Sequence, residues 1–189
     1  EKARQAACMN NLKTLVLATI MYAQDYEDWL PVGFQDTPRV WWMGVLSGPN
    51  GAYLPNSYSY IQNNYTRKKP PYLFCPTNPA TANYSGYAYN RYIMGYVSGT
   101  MPAGGYDLNV KIASCDPVNP IYCDKYGTGS AFSYNSSTNI WLLGIIHLRG
   151  GNYASIDGSV RWIKAQANGT VYVPGSFIYP RRPRTGAGF

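Results

Sequence analysis

The stretch Asn152-Tyr153-Ala154-Ser155-Ile156-Asp157-Gly158-Ser159-Val160-Arg161-Trp162-Ile163 decides the fold. Two β-prone segments flank Asp157-Gly158. A two-residue Asp-Gly loop favours a type I′ turn, because glycine takes positive φ without penalty and aspartate tolerates it. That turn pairs Tyr153 with Trp162 and Ser155 with Val160; an aromatic cross-strand pair contributes up to about 1 kcal/mol. A second turn at Asn168-Gly169 leads into Thr170-Val171-Tyr172-Val173. The two turns predict a three-stranded antiparallel meander, and such a sheet must cover its apolar face with another layer.

The covering layer is expected from the N-terminus. From Lys2 to Tyr26 there is neither glycine nor proline. Leu12, Leu15, Val16, Thr19, Tyr22, Ala23 and Tyr26 recur at three- and four-residue spacing and form one face of a helix. Leu17, Ile20 and Met21 lie off that face. The second apolar side is expected to meet either a neighbouring subunit or a C-terminal segment of the same chain.

Between Pro31 and Ser137 no helical period is sustained. Turn punctuation recurs at Ser47-Gly48-Pro49-Asn50-Gly51, Lys69-Pro70-Pro71 and Met101-Pro102-Ala103-Gly104-Gly105. Tyr72-Leu73-Phe74, Tyr87-Ala88-Tyr89 and Ile93-Met94 read as strands or extended loops. A long, irregular excursion held by aromatic packing and disulfides is expected here.

The cysteines are Cys8, Cys75, Cys115 and Cys123, and the only histidine is His147. No Cys-x-x-Cys occurs, which disfavours zinc-ribbon and thioredoxin-type sites. A four-ligand Cys/His zinc site would need these scattered residues to converge, so no metal and no cofactor is expected. An even cysteine count in a chain rich in Tyr, Asn, Gly and Ser points to an oxidising compartment. Cys115–Cys123 is the favoured disulfide, because Asp116-Pro117-Val118-Asn119-Pro120 is built to turn; Cys8–Cys75 then remains. On the chain-entropy view these contribute roughly 2.5 and 4.4 kcal/mol. Four buried thiols are the alternative.

The 189 residues suit one domain. Charged residues are only 13%, while aromatics reach 15% with 19 tyrosines, the reverse of a disordered chain. No apolar run approaches the length of a membrane span. The net charge of +7 is concentrated in Arg67-Lys68-Lys69 and Arg181-Arg182-Pro183-Arg184. These clusters serve either solubility or an anionic partner. Four Asn-x-Ser/Thr sequons, at Asn64, Asn83, Asn135 and Asn168, carry weight only if the source glycosylates asparagine.

Several of these pieces together resemble one family. His147 is followed by nine residues and then Asp157-Gly158, with Gly150-Gly151-Asn152-Tyr153 between and Val160-Arg161-Trp162-Ile163 after. This resembles the C-terminal His-x9-Asp-Gly signature of the type IV pilin-like proteins called prepilin-type processing-associated. Glu1-Lys2-Ala3-Arg4-Gln5-Ala6-Ala7-Cys8, Asn10-Asn11-Leu12-Lys13 and Met21-Tyr22-Ala23-Gln24-Asp25 followed by Leu30-Pro31 look like the segment after that family's membrane helix. Phe74-Cys75-Pro76 and Gly86-Tyr87-Ala88-Tyr89-Asn90 look similar too. The resemblance covers roughly residues 1–31, 73–90 and 144–164. It implies a hydrophobic helix upstream of Glu1, absent from the chain as given, processing by a prepilin peptidase and assembly by an ATPase-driven machine.

The expected fold is α+β: a single pilin-like domain over 1–189, with a helix over 1–28, a loop-rich insertion over 29–140, antiparallel hairpins over 141–175 and a basic tail over 176–189. The expected role is a structural subunit of an extracellular or cell-surface helical filament. Its partners would be copies of itself, and the membrane would be engaged only through the upstream segment. Leu17, Ile20, Met21, Trp41 and Trp42 are the candidate subunit contacts, because interface cores are rich in aromatics and poor in charge. A secretion pseudopilin, or a module binding polysaccharide or nucleic acid through exposed aromatics and Lys/Arg clusters, is the alternative. Catalysis is not expected: Asp and Glu total nine, no Gly-x-Ser-x-Gly or phosphate-loop glycine pattern occurs, and His147 has no nucleophile at motif spacing. His147 is expected to orient the loop before the hairpin through hydrogen bonds. Asp157 is expected to be a turn residue.

Overall fold

The computed structural model describes residues 1–35, 40–47, 53–54, 70–77, 86–97, 110–124, 131–132, 134–135, 140–141 and 146–165. The basic clusters at 67–69 and 181–184, the turn and strand expected at 168–173, and the sequons at 64, 83 and 168 lie outside them.

Helix α1 spans Lys2–Asp25, about 36 Å of rod. It is followed by β1 (Phe34–Gln35), β2 (Val40–Trp41), α2 (Trp42–Ser47), β3 (Tyr87–Asn90), the single turn α3 (Arg91–Met94) and β4 (Tyr96–Val97). Next come β5 (Pro120–Asp124), β6 (Ala131–Phe132), β7 (Tyr134–Asn135), β8 (Ile140–Trp141), β9 (Gly150–Ser155) and β10 (Val160–Lys164). The main sheet runs β10-β9-β5-β3, all antiparallel, with the two-residue β6 added parallel to β3. A small sheet β2-β1-β4 and the pair β7-β8 complete the topology of the described residues.

The helix lies on this sheet as the apolar face predicts. Cys8, Leu12, Leu15, Val16, Ala18, Thr19 and Ala23 are buried. Thr19 Oγ1 and the Tyr122 hydroxyl lie 2.7 Å apart in the contact with β5. The helix ends at Asp25, where Glu27 and Asp28 take positive φ and the Asp28 N–H donates to the Ala23 carbonyl. Tyr26, expected on the buried face, is exposed and stacks on Tyr22 at 4.2 Å between ring centres. The result is the α+β, pilin-like arrangement of a long N-terminal helix on an antiparallel sheet.

Three features differ from expectation. The stretch between helix and hairpin is more than an excursion: it supplies β3 and β5, which lie between β9 and β6 and are buried throughout. Of its candidate strands, Tyr87–Asn90 is one, whereas Ile93-Met94 falls in α3 and Pro71–Leu73 is a 3-10 turn.

The hairpin register is shifted by one residue. Ala154 pairs with Val160, Tyr153 with Arg161 and Asn152 with Trp162. The Gly158 N–H donates to the Ser155 carbonyl, Gly158 has φ +80°, and the Ser155 N–H donates to the Ser159 carbonyl. These bonds describe a three-residue loop closed by a bulge with glycine in the left-handed region, rather than a two-residue I′ turn. Asp157 caps the turn by accepting the Ser159 N–H at 2.8 Å. A single-residue slip exchanges faces, so Trp162 shares a face with Asn152 instead of Tyr153.

Trp42, taken for a subunit contact, is fully buried and packs on Tyr122 at 4.9 Å between ring centres. Its side chain has no surface to offer a neighbour. Trp41 and Ile20 pack partly buried against the core, whereas Leu17 and Met21 are exposed. Replacing Trp42 by alanine is expected to cost about 3–5 kcal/mol, read as the shift of the urea unfolding midpoint of the purified chain.

A tight two-residue turn that the sequence does not advertise precedes β9. His147 and Gly150 exchange backbone hydrogen bonds of 3.0 and 2.8 Å. Leu148 and Arg149 between them have φ 49° and 62°. This I′ geometry favours Asn-Gly, and each L-residue in the left-handed region costs about 1–2 kcal/mol. Both side chains are exposed, so little packing offsets the strain. Leu148→Asn combined with Arg149→Gly is expected to stabilise the chain by about 1 kcal/mol, measured by thermal melting.

Candidate metal centre

Four segments distant in sequence bring chemistry to one place. Cys8 comes from the second turn of α1, Cys75 from the loop after the 3-10 turn, Asp124 from the end of β5, and His147 from the strained hairpin. One ligand atom from each lies within 4.8 Å of every other, and all four residues are buried. The cysteine thiols, the carboxylate and the imidazole thus form one closed cluster.

Each member is held by its own element. In β5 the Tyr122 side chain meets α1, so the two-residue period also turns Asp124 towards the helix. Asp124 Oδ2 accepts the Asn152 backbone N–H at 2.7 Å and the Asn152 amide at 2.9 Å. Asp124 Oδ1 is buried and accepts no hydrogen bond. The Cys75 segment is clamped by Gly86, whose N–H donates to the Leu73 carbonyl at 2.7 Å. The Trp162 indole donates to the His147 carbonyl at 3.0 Å. Asn11 donates to the Tyr87 hydroxyl at 3.0 Å, and Tyr87 in turn bonds the Cys8 sulfur.

The histidine ring is oriented from both sides. Nδ1 donates to Glu1 Oε1 at 2.7 Å, with Thr77 Oγ1 at 3.4 Å. Nε2 then faces the Cys75 sulfur at 3.2 Å, within hydrogen-bonding distance, and Asp124 Oδ2 at 3.9 Å.

The electrostatics reflect burial and the close packing of the four groups. Burial pushes the Asp124 carboxyl up to about 7, against the opposing hydrogen bonds from Asn152 and the charge of His147. The hydrogen bond with Cys75, and then burial, push the Cys8 thiol up. Burial alone would lower the His147 pKa, but the Glu1 hydrogen bond and the neighbouring Asp124 and Cys75 raise it overall. The His147 hydrogen bond holds the Glu1 carboxyl below its ordinary value.

All four cysteines are thiols in the structure, in place of the two expected disulfides. Cys8 and Cys75 are indeed neighbours, hydrogen-bonded rather than bonded. Cys115 packs in the apolar core with its sulfur 3.6 Å from the Lys111 carbonyl. The strand period turns Cys123 to the sheet face opposite Tyr122 and Asp124. Against the expectation from spacing, Cys8, Cys75 and His147 converge, without Cys115 and Cys123, and Asp124 joins them as a member the sequence did not point to. Its signal was faint: an acidic residue closing an apolar strand directly after Cys123. The His147 backbone closes the turn with Gly150, while its ring bonds Glu1 and faces the cluster. Asp157 stays in its turn, outside the cluster.

Residues 1–139 match the family described as "Protein of unknown function (DUF1559)", and the chain belongs to that family. Cys8, Cys75 and Asp124 lie within the matched stretch and His147 beyond it. No curated protein and no solved structure matches the chain.

Gly86 fixes the position of Cys75. A Cβ there would lie 2.6 Å from the Cys75 nitrogen and 3.0 Å from the Phe74 Cα, both backbone atoms that cannot swing aside. Gly86→Ala is expected to destabilise the chain by about 1–3 kcal/mol, seen as a lower urea midpoint.

Proposed function

We propose that this chain is a structural subunit of an extracellular or cell-surface helical filament, in which copies of α1 pack together. The observation that carries this reading is the outer side of α1. Leu17 is 43% exposed and Met21 is 50% exposed, one helical turn apart, on a helix whose opposite side is buried in the sheet. Exposed apolar side chains in register on one helix make an adhesive stripe. A contact between that stripe and a different surface of the next copy does not close on itself and propagates as a helix.

The family and fold support the same direction. DUF1559 chains are commonly found with prepilin-type N-terminal domains, and the helix-on-sheet arrangement is pilin-like. Among the described residues no helix is long and apolar enough to cross a membrane. In this reading the membrane is engaged through a hydrophobic segment of the kind that prepilin-type N-terminal domains carry. In this role the chain does no catalysis, and its partners are copies of itself.

Electron microscopy of the native material is the direct measurement, and filaments are the expected result. Dispersed monomers at high concentration would overturn the reading. Leu17→Glu with Met21→Glu is expected to abolish filaments while changing stability by less than about 0.5 kcal/mol, since neither side chain is buried. Filaments that persist in this variant would exclude the α1 stripe as the contact.

A further inference from the structure

We propose that Cys8, Cys75, Asp124 and His147 form a tetrahedral zinc site that ties α1 to the sheet and to the hairpin before β9. The inference is independent of the filament role. Two thiols, one imidazole and one carboxylate are the donor set of a closed zinc centre, in which the metal contributes to folding.

The geometry fits the ion. Zinc bonds of about 2.0–2.3 Å give tetrahedral ligand–ligand edges of about 3.3–3.8 Å. The Cys75 Sγ–His147 Nε2 and His147 Nε2–Asp124 Oδ2 separations of 3.2 and 3.9 Å bracket that range. All four ligand atoms lie within 4.8 Å of one another, so the ion would draw the wider pairs together.

The surroundings are those of a metal site. Metal-ligating histidines hand their second ring N–H to a carboxylate or carbonyl, which fixes the tautomer. Glu1 does this at Nδ1 and leaves Nε2 facing the other donors. Asn152 orients Asp124 through two bonds to Oδ2, while Oδ1 accepts none although it is fully buried. A buried carboxylate oxygen without a donor is costly, and the charge of a cation held at the neighbouring Oδ2 offsets that cost. On binding, Zn2+ displaces the two thiol protons to solvent. Two thiolates, the carboxylate and a neutral imidazole then surround the ion, with no redox change.

A disulfide between Cys8 and Cys75 is the competing chemistry. It would use both sulfurs and leave Asp124 and His147 without the cation.

The test uses the full-length chain carrying Cys115→Ser and Cys123→Ser, so that any metal–sulfur bond must come from Cys8 or Cys75. Purified with a reductant and zinc, then desalted, it is expected to retain one zinc per chain by elemental analysis. Replacement by Co2+ is expected to give a sulfur-to-cobalt charge-transfer band and the intense visible bands of a tetrahedral site. His147→Gln and Asp124→Asn should alter those bands or abolish uptake. Glu1→Gln should keep the tetrahedral spectrum but weaken affinity about 10- to 100-fold, as loss of an orienting partner does. The cobalt spectrum of the reduced chain with all four cysteines in place, recorded alongside, does not depend on whether any of these variants folds. No metal uptake by that reduced chain overturns the proposal. So does a cobalt spectrum unchanged in both His147→Gln and Asp124→Asn. Intact mass showing a Cys8–Cys75 disulfide in native material overturns it in favour of the covalent link.

Discussion

The structure depends on one packing constraint: α1 must lie across β5 and β9. Each partner has an apolar face that the other covers. A short antiparallel sheet with an apolar face needs a cover, and most of the stability of a helix in a protein comes from packing its apolar face. Leu12, Leu15, Val16 and Ala23 enter the same core as Tyr122, Ala154 and Ile156. Thr19 provides the polar registration point against Tyr122, and Lys13 provides another by donating to the Gly158 carbonyl at 2.6 Å. The positive φ of Gly158 turns that carbonyl towards the helix, so the bulged hairpin loop also helps to seat it.

This dependence explains which parts of the fold were legible. The helix was readable because its code is local: a long run without glycine or proline and apolar residues at regular spacing. The Asp157-Gly158 turn was readable as a turn but not as a register. Asp-Gly serves both a two-residue I′ loop and a three-residue loop with a left-handed glycine. The choice is made by tertiary contacts, here Lys13 on the loop and Trp162 on the His147 carbonyl. The Leu148-Arg149 turn could not be read, because neither residue signals positive φ. The central strands β3 and β5 were obscured because they are short and buried on both faces, so they show no alternation.

The buried cluster was hidden for a different reason. Metal and disulfide motifs are recognised when their residues are close in sequence. Here the ligands come from a helix, a loop, a strand end and a hairpin, so no spacing rule links them. Only the packing of α1 brings Cys8 to Cys75 and Asp124. The cysteine count carried the first half of the signal, that Cys8 and Cys75 belong together. The single histidine carried the second half, but its own motif points forward to Asp157-Gly158 and away from the cysteines.

The same packing links the cluster to the outer side of the helix. With 3.6 residues per turn, successive residues are rotated by about 100°. Leu17 follows Cys8 by nine residues, which places it about half a turn away around the helix. Whatever holds Cys8 against Cys75 and Asp124 therefore sets the rotation of α1 and directs Leu17 to solvent. Met21 sits one turn further along the same stripe. A helix pinned near its start by a buried cluster, and further along by Thr19 against Tyr122, cannot roll to bury those side chains. The exposed apolar stripe is thus a consequence of the core, because the residues that anchor the helix inward leave Leu17 and Met21 no inward position to take.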